Sequence, residues 1–360
     1  MKIGIIAHLK HPIRKPFTGG LEAFTYDVTK RLIQRGHDVT LFASEHSDAS
    51  LNVRSIMSDV DYDRETLSRF RSHELSEDFI STHHAYLELM QDIDGAGFDI
   101  IFNNSVNYVP ITMASLIKTP MVTVLHTPPI FEMKRAAARE QHLRKIYYVS
   151  VSKSNATAWK PYIGNCKIIT NGIDLRQWHF YPANDQRYVM WFGRIHPDKG
   201  THLAIEAAKL AGKTIRIAGS VADQHYFETY VEPMLDEKAI WMGHRTHEEL
   251  NELIGNAEVS LITPCWDEPF GLVVAESLAC GTPVAGFSRG ALPTILTEKT
   301  GVLTHSCGPH ELAKCIVRAA TLDRADCRTQ ALHLDIDTMV SSYEELFSEI
   351  VHRRYFSYAG

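Results

Sequence analysis

Apolar and polar positions follow one another in short, regular blocks along the chain. Residues 2–7 carry Ile3, Ile5 and Ile6 in a brief apolar run that reads as a buried strand. Leu21, Phe24, Val28 and Leu32 then recur at helical spacing, which predicts a helix over 20–35 closed by Gly36. Further strands are expected at 38–43, 99–102, 121–125 and 146–150, with helical patterns between most of them. Tyr181-Pro182-Ala183-Asn184-Asp185 is a polar, proline-containing break. Beyond it the alternation restarts, with strands at 189–192, 215–218, 259–262 and 283–287. Helices are expected at 201–211, 224–236, 247–255, 271–280 and 309–321. A last helical stretch spans 338–355.

Strands alternating with helices predict parallel sheets covered on both faces. The fold class is therefore α/β, with two Rossmann-like doubly wound domains facing across a cleft. The boundary is placed in the polar break, giving domains 1–182 and 183–339, with residues 340–360 expected to pack back on the first. Ligands in such folds bind at the carboxyl ends of the strands.

Composition narrows the picture. A chain of 360 residues exceeds the size of most single cores, in keeping with two domains. A net charge of -6 argues against a nucleic-acid partner. The first apolar run is cut by His8 and Lys10, too early for a signal peptide, and no run approaches the length of a membrane span. A cytoplasmic protein is expected. Cys166, Cys265, Cys280, Cys307, Cys315 and Cys327 form no CxxC pair and read as buried free thiols. Neither His83-His84 nor His244 with His247 has the neighbours that complete a metal site, so no metal is expected.

Three loops carry residues that chemistry can use. Before the first helix, Gly19-Gly20 lets backbone approach a ligand and leaves helix N–H groups for an anion. No GxGxxG follows the first strand, which removes the main support for a dinucleotide dehydrogenase. After the strand at 189–192 comes Gly193-Arg194-Ile195-His196-Pro197-Asp198-Lys199-Gly200. An arginine fork and a mobile lysine five residues apart suit a diphosphate. After the strand at 259–262, Glu268-Pro269-Phe270-Gly271-Leu272-Val273-Val274-Ala275-Glu276 places one carboxylate before a helix and one inside it. A carboxylate accepts two hydrogen bonds from a vicinal diol, and the N–H groups of Phe270–Val273 can face a phosphate.

Glu268 to Glu276 resembles the E-x7-E pattern of retaining glycosyltransferases of family 4, which have the GT-B fold. Pro269-Phe270-Gly271-Leu272-Val273 and the trailing Ala279-Cys280-Gly281-Thr282-Pro283-Val284 are similar to the same family. So are Gly19-Gly20 with Glu22, His126 in Leu125-His126-Thr127-Pro128, Ser150-Val151-Ser152, Asn171-Gly172-Ile173-Asp174, and Gly193-Arg194 with Lys199-Gly200. These fall in the family's order over nearly the whole chain. The resemblance implies that 1–182 is the acceptor domain and 183–339 the nucleotide-sugar donor domain. Arg194 and Lys199 would bind the donor diphosphate, Glu276 the ribose and Glu268 the transferred sugar. Gly19, Gly20, Gly193, Phe270, Gly271, Leu272 and Val273 would supply close backbone, and His126 would orient the sugar. The base would lie on Gly243, His244 and Arg245.

It further implies a metal-independent, front-side transfer with retention, from a UDP-sugar of glucose or GlcNAc type to a hydroxyl acceptor. That acceptor is a glycan, a lipid-linked sugar or a small molecule. No cofactor beyond the donor is expected. His126 and Glu268, the rival nucleophile or base candidates, are read as positioning groups. After Ser288-Arg289-Gly290 the chain departs from the family with Ala291-Leu292-Pro293-Thr294. Residues 131–145 read as a basic, solvated helix without a strong apolar face, with weak peripheral membrane contact as the rival reading. An epimerase or phosphorylase of the same fold, and a non-catalytic nucleotide-sugar-binding protein, are the alternatives.

Overall fold

The computed structural model describes residues 1–58, 77–143, 146–183 and 187–358. Asn184-Asp185 of the polar break, Arg144-Lys145 of the basic stretch and residues 359–360 fall outside them. The chain forms two compact units, one of Met1–Ile169 with Met339–Gly360, the other of Thr170–Thr338.

In the first unit, β1 (Lys2–Ile6), β2 (Asp38–Ser44), β3 (Val53–Met57), β4 (Ile100–Asn103), β5 (Met121–Leu125), β6 (Ile146–Ser150) and β7 (Lys167–Ile168) form one sheet in the order β3-β2-β1-β4-β5-β6-β7. All its pairings are parallel. Strands β4 and β5 are buried throughout, which explains why they read as nearly continuous apolar runs, broken only by Asn103 and Thr123.

The closing helix, Ile336–Tyr358, belongs mostly to this unit. Tyr343 and Phe347 place their rings 4.9 and 5.1 Å from that of Phe102. Glu344 accepts from His37 Nε2 at 2.8 Å and pairs with Arg35.

The second unit repeats the plan. Strands β8 (Tyr188–Phe192), β9 (Thr214–Ala218), β10 (Ala239–Trp241), β11 (Val259–Ile262), β12 (Val284–Phe287) and β13 (Gly301–Thr304) run in the order β10-β9-β8-β11-β12-β13. In both sheets the order reverses beside the first strand, between β1 and β4 and between β8 and β11. That reversal opens the crevice in which doubly wound sheets hold ligands.

Three details differ from the sequence reading. The helix expected over 131–145 ends at Glu140, and it does bury an apolar stripe: Met133, Ala136 and Ala137 pack with Ile111, Leu125 and Trp159. The helix expected over 224–236 breaks into a short α-turn, a π-turn at Phe227–Val231 and a 3-10 turn at Glu232–Met234. The wide turn sends Phe227 and Val231 into the core, and Pro233 lacks the N–H that a continuing helix needs. All six cysteines are free, but only Cys280, Cys315 and Cys327 are buried; Cys166 and Cys307 are partly exposed and Cys265 is exposed.

The compact units divide at 169/170, ahead of the polar break. Residues 170–183 are held by the second unit: Ile173 bridges to Asp335, and Tyr181 N–H donates to Cys280 O at 3.1 Å.

Candidate functional site

The loops at the carboxyl ends of β8 and β11 meet at the sheet reversal of the second unit. Lys199 ends the turn Pro197–Lys199, and Gly200 follows at φ +62°. A Cβ on Gly200 would stand 2.5 Å from Thr263 O, so only glycine lets the two loops close to this distance. Thr263 Oγ1 donates to Lys199 O at 2.8 Å, and Cys265 N–H to Asp198 O at 2.7 Å. Thus locked, Lys199 Nζ donates to Glu268 Oε2 at 2.5 Å, and Trp266 Nε1 donates to the same oxygen at 3.0 Å. The ammonium also lies 5.1 Å from the centre of the Trp266 ring. The ion pair is mostly shielded, with the lysine 23% and the glutamate 14% exposed, so its charges act in a weakened dielectric.

Behind Glu268 the 288–291 loop acts as a buttress. Ala291 N–H donates to Glu268 O at 2.9 Å, while Arg289 reaches Cys265 O and the Cys307 sulfur at 3.1 and 3.2 Å. The departure at Ala291–Thr294 therefore supports the carboxylate loop from behind. Gly271, at φ +85°, then turns the chain into the helix Leu272–Ala279. The N–H groups of Leu272 and Val273 lie in its first turn, where a helix supplies no acceptor of its own. Glu276 stands in the second turn, partly exposed. Burial and, after it, the Glu276 carboxylate push the Cys280 thiol up.

The far end of that helix is gripped by two arginines. Arg324 donates to Tyr181 O, Ala257 O, Gly255 O and Thr282 Oγ1 at 2.5–3.0 Å, and Arg328 to Trp178 O and Ala279 O at 2.8 Å.

A third loop adjoins β8. Gly193 N–H donates to Ala218 O at 3.0 Å and Gly219 N–H to Gly243 O at 2.9 Å, which links the ends of β8, β9 and β10. A Cβ on Gly219 would fall 1.8 Å from Gly193 O. Arg194 is partly exposed beside it. His244 and Arg245 extend the same edge, and Arg245 Nη1 turns back to Glu249 at 3.1 Å. Gly219, Thr263 and Trp266 were not singled out by sequence. Each sits directly after a strand or beside Glu268, and that position was the available signal.

In the first unit, helix Gly20–Gln34 starts without a side-chain cap, with Gly19 extended before it. Glu22, in its first turn, accepts from His8 Nε2 at 2.8 Å. Burial pulls its pKa up, but the His8 hydrogen bond and charge outweigh it and hold the carboxyl below its usual range. His126 lies 2.8 Å from Asn104 Oδ1 through Nε2, and its ring meets Phe24 edge-on at 4.7 Å. Gly20, Glu22 and His126 thus share one corner of this unit. Burial, then the neighbouring His8, drops the His126 pKa to about 3, so its ring is neutral at physiological pH.

Among the described residues, no group of three His, Cys, Asp or Glu side chains could hold a metal ion, and no helix is long and apolar enough to cross a membrane. His83 instead bonds Tyr108 Oη at 2.9 Å, and His247 lies against Trp178, ring centres 4.2 Å apart.

Comparison with known proteins agrees with this architecture. Residues 18–177 match the model for Glycosyltransferase Family 4, and residues 177–331 that for Glycosyl transferases group 1. A glycogen synthase of Mycobacterium tuberculosis (strain ATCC 25618 / H37Rv) is 29% identical over 265 residues, covering 64% of this chain and 63% of that protein. The chain thus spans less than two thirds of the length of the curated relatives it matches. Among solved structures, Anabaena HepE in complex with UDP-glucose superposes with a TM-score of 0.74 at 19% identity, over 97% of this chain and 100% of that one. Sucrose-phosphate synthase of Thermosynechococcus elongatus gives 0.78 at 18% identity, over 98% and 100%. The two family models meet at residue 177 and leave only the ends of the chain unmatched, over two doubly wound units of the same strand order. The chain belongs to glycosyltransferase family 4, the glycosyl transferases group 1, with the GT-B fold.

Proposed function

We propose that the protein is a retaining hexosyltransferase that takes its sugar from a UDP-sugar and passes it to a hydroxyl acceptor without a metal ion. The observation that carries this reading is the Lys199–Glu268 pair at the sheet reversal, set directly before the helix N-terminus at Gly271–Leu272. A cation, an anionic hydrogen-bond acceptor and free helix N–H groups stand within one loop cluster. A diphosphate needs the first and third, and sugar hydroxyls need the second.

In this reading Arg194, Lys199 and the helix N-terminus neutralise the departing diphosphate, the work a metal ion does elsewhere. Glu276 accepts from the ribose hydroxyls and Glu268 from those of the sugar. Gly193 and Gly243 present close backbone to the nucleotide. The bond from the anomeric carbon to the phosphate oxygen breaks, and the bond to the acceptor oxygen forms on the same face. The acceptor's proton passes to the departing phosphate oxygen, so no protein nucleophile is required. His126, neutral, serves as a hydrogen-bonding group for a hydroxyl rather than as a base. The complex of HepE with UDP-glucose favours a uridine donor, and the glycogen synthase relative favours a glycan acceptor.

Thermal stabilisation by UDP-glucose, UDP-GlcNAc, GDP-mannose and ADP-glucose, each with and without chelator, tests the donor. A uridine sugar is expected to give the largest shift, unchanged by chelation. Proton NMR of the product is expected to show the donor's anomeric configuration, and inversion would reject the mechanism.

A further inference from the structure

We propose that Trp266 is a positioning residue that holds Glu268 in its sugar-reading orientation while Lys199 serves the diphosphate. The inference rests on the donor-site reading above and goes beyond it.

Among the described residues, both donors that reach the Glu268 carboxylate, the ammonium of Lys199 and the indole N–H of Trp266, bond the same oxygen, Oε2, at 2.5 and 3.0 Å. This leaves Oε1 to meet a ligand hydroxyl. The two donors differ in what else attracts them. An ammonium is drawn to any phosphate oxygen, so a diphosphate bound by Lys199 competes with Glu268 for it. An indole N–H is neutral and sits on a side chain with only two rotatable bonds. It keeps its acceptor when the lysine turns away. The Trp266 face meanwhile keeps the ammonium within 5.1 Å, close to both acceptors.

The backbone of this loop does not depend on the indole. It is tied through Cys265 N–H to Asp198 O at 2.7 Å, Arg289 Nη1 to Cys265 O at 3.1 Å and Ala291 N–H to Glu268 O at 2.9 Å. Trp266 is only partly buried. Removing its N–H should therefore free the carboxylate without unfolding the loop.

The test is calorimetric titration of the full chain with UDP and with UDP-glucose, for wild type, Trp266→Phe, Glu268→Gln and the double variant. Trp266→Phe is expected to weaken UDP-glucose binding about tenfold, as suits the loss of one hydrogen bond to a charged group, and UDP binding less than about threefold. In the Glu268→Gln background the same change is expected to cost less than about twofold, since the two residues act as one unit. Trp266→His, which retains a ring N–H, is expected to recover part of the loss. Thermal melts confirm folding of each variant. Equal losses for UDP and UDP-glucose, or a full effect in the Glu268→Gln background, would overturn the inference and make Trp266 a packing residue. Wild-type protein that binds neither ligand would remove the donor-site reading, and this inference with it. Normal wild-type binding with an unaffected Trp266→Phe would remove the inference alone.

Discussion

Gly290 lies against Glu268 with no room for a side chain between them. A Cβ on Gly290 would stand 2.1 Å from the Glu268 carbonyl oxygen, and its φ of +57° is one that L-residues hold only under strain. Gly290→Ala should therefore push the carboxylate loop off its buttress. We expect a loss of at least about 1–2 kcal/mol in a urea melt, together with weaker binding of UDP-glucose by calorimetry. An unchanged melt would mean that the 288–291 loop can shift freely.

Arg324 makes the matching prediction at the other end of the helix that carries Glu276. Its guanidinium is the donor for the carbonyls of Tyr181, Ala257 and Gly255 in a buried setting. Arg324→Ala leaves those acceptors unpaired and should cost about 3–5 kcal/mol of stability. Arg324→Lys, with three donors and no fork, should recover only part of it. Urea midpoints of the three proteins check this, and a cost below about 1 kcal/mol for the alanine variant would show that water replaces the guanidinium.

Lys199→Ala and Glu276→Ala should each weaken binding of a nucleoside diphosphate by about tenfold or more, from the loss of charge-assisted hydrogen bonds, while far-ultraviolet circular dichroism stays unchanged. Unaltered affinity in both would remove the assignment of the donor site.

His126 gives a pH dependence with a definite sign. Its folded pKa of about 3 lies below the ordinary 6.5. Between these values the unfolded chain binds a proton that the folded chain refuses. Stability from this group is complete above about pH 6.5 and is lost as the pH falls toward 3. His126→Asn should therefore lose less stability than wild type between pH 7 and pH 4.5, by about 2–2.5 kcal/mol. Urea melts at the two pH values measure the difference, and identical acid lability would contradict the burial of the ring.

Much of the fold was legible because buried parallel strands write themselves as apolar runs, as at Met121–Leu125 and Val259–Ile262. The edges were not. Strand Val53–Met57 is largely uncovered and interrupts its apolar residues with Arg54 and Ser55, while Ala239–Trp241 is only three residues long and exposes Ile240 and Trp241, so neither shows the long apolar run of a central strand. Helix Arg324–Ala331 was missed for a related reason. Its turns show few large apolar residues, and Arg324 earns its burial from acceptors 42–143 positions away, the Thr282 hydroxyl and the backbone carbonyls of Tyr181, Ala257 and Gly255. The same long-range grip on residues 178–181 is why the compact units divide earlier than the polar break. At the candidate site, residue types and order were readable from Gly193 to Glu276. What spacing could not reveal is pairing: that Lys199, Glu268 and Trp266 converge on one oxygen, or that Asn104 takes one nitrogen of His126.

The closing helix has a consequence for biosynthesis. The second unit is one continuous stretch, Thr170–Thr338, whereas the first needs residues from both sides of it. A chain leaving the ribosome N-terminus first can finish the second unit while Phe102, buried in the mature protein beneath Tyr343 and Phe347, still waits for its cover. Translation that stalls after Thr338 would release a product with one closed unit and one open apolar seam, which makes synthesis of the Ile336–Tyr358 helix the step at which chaperone protection of that seam should end.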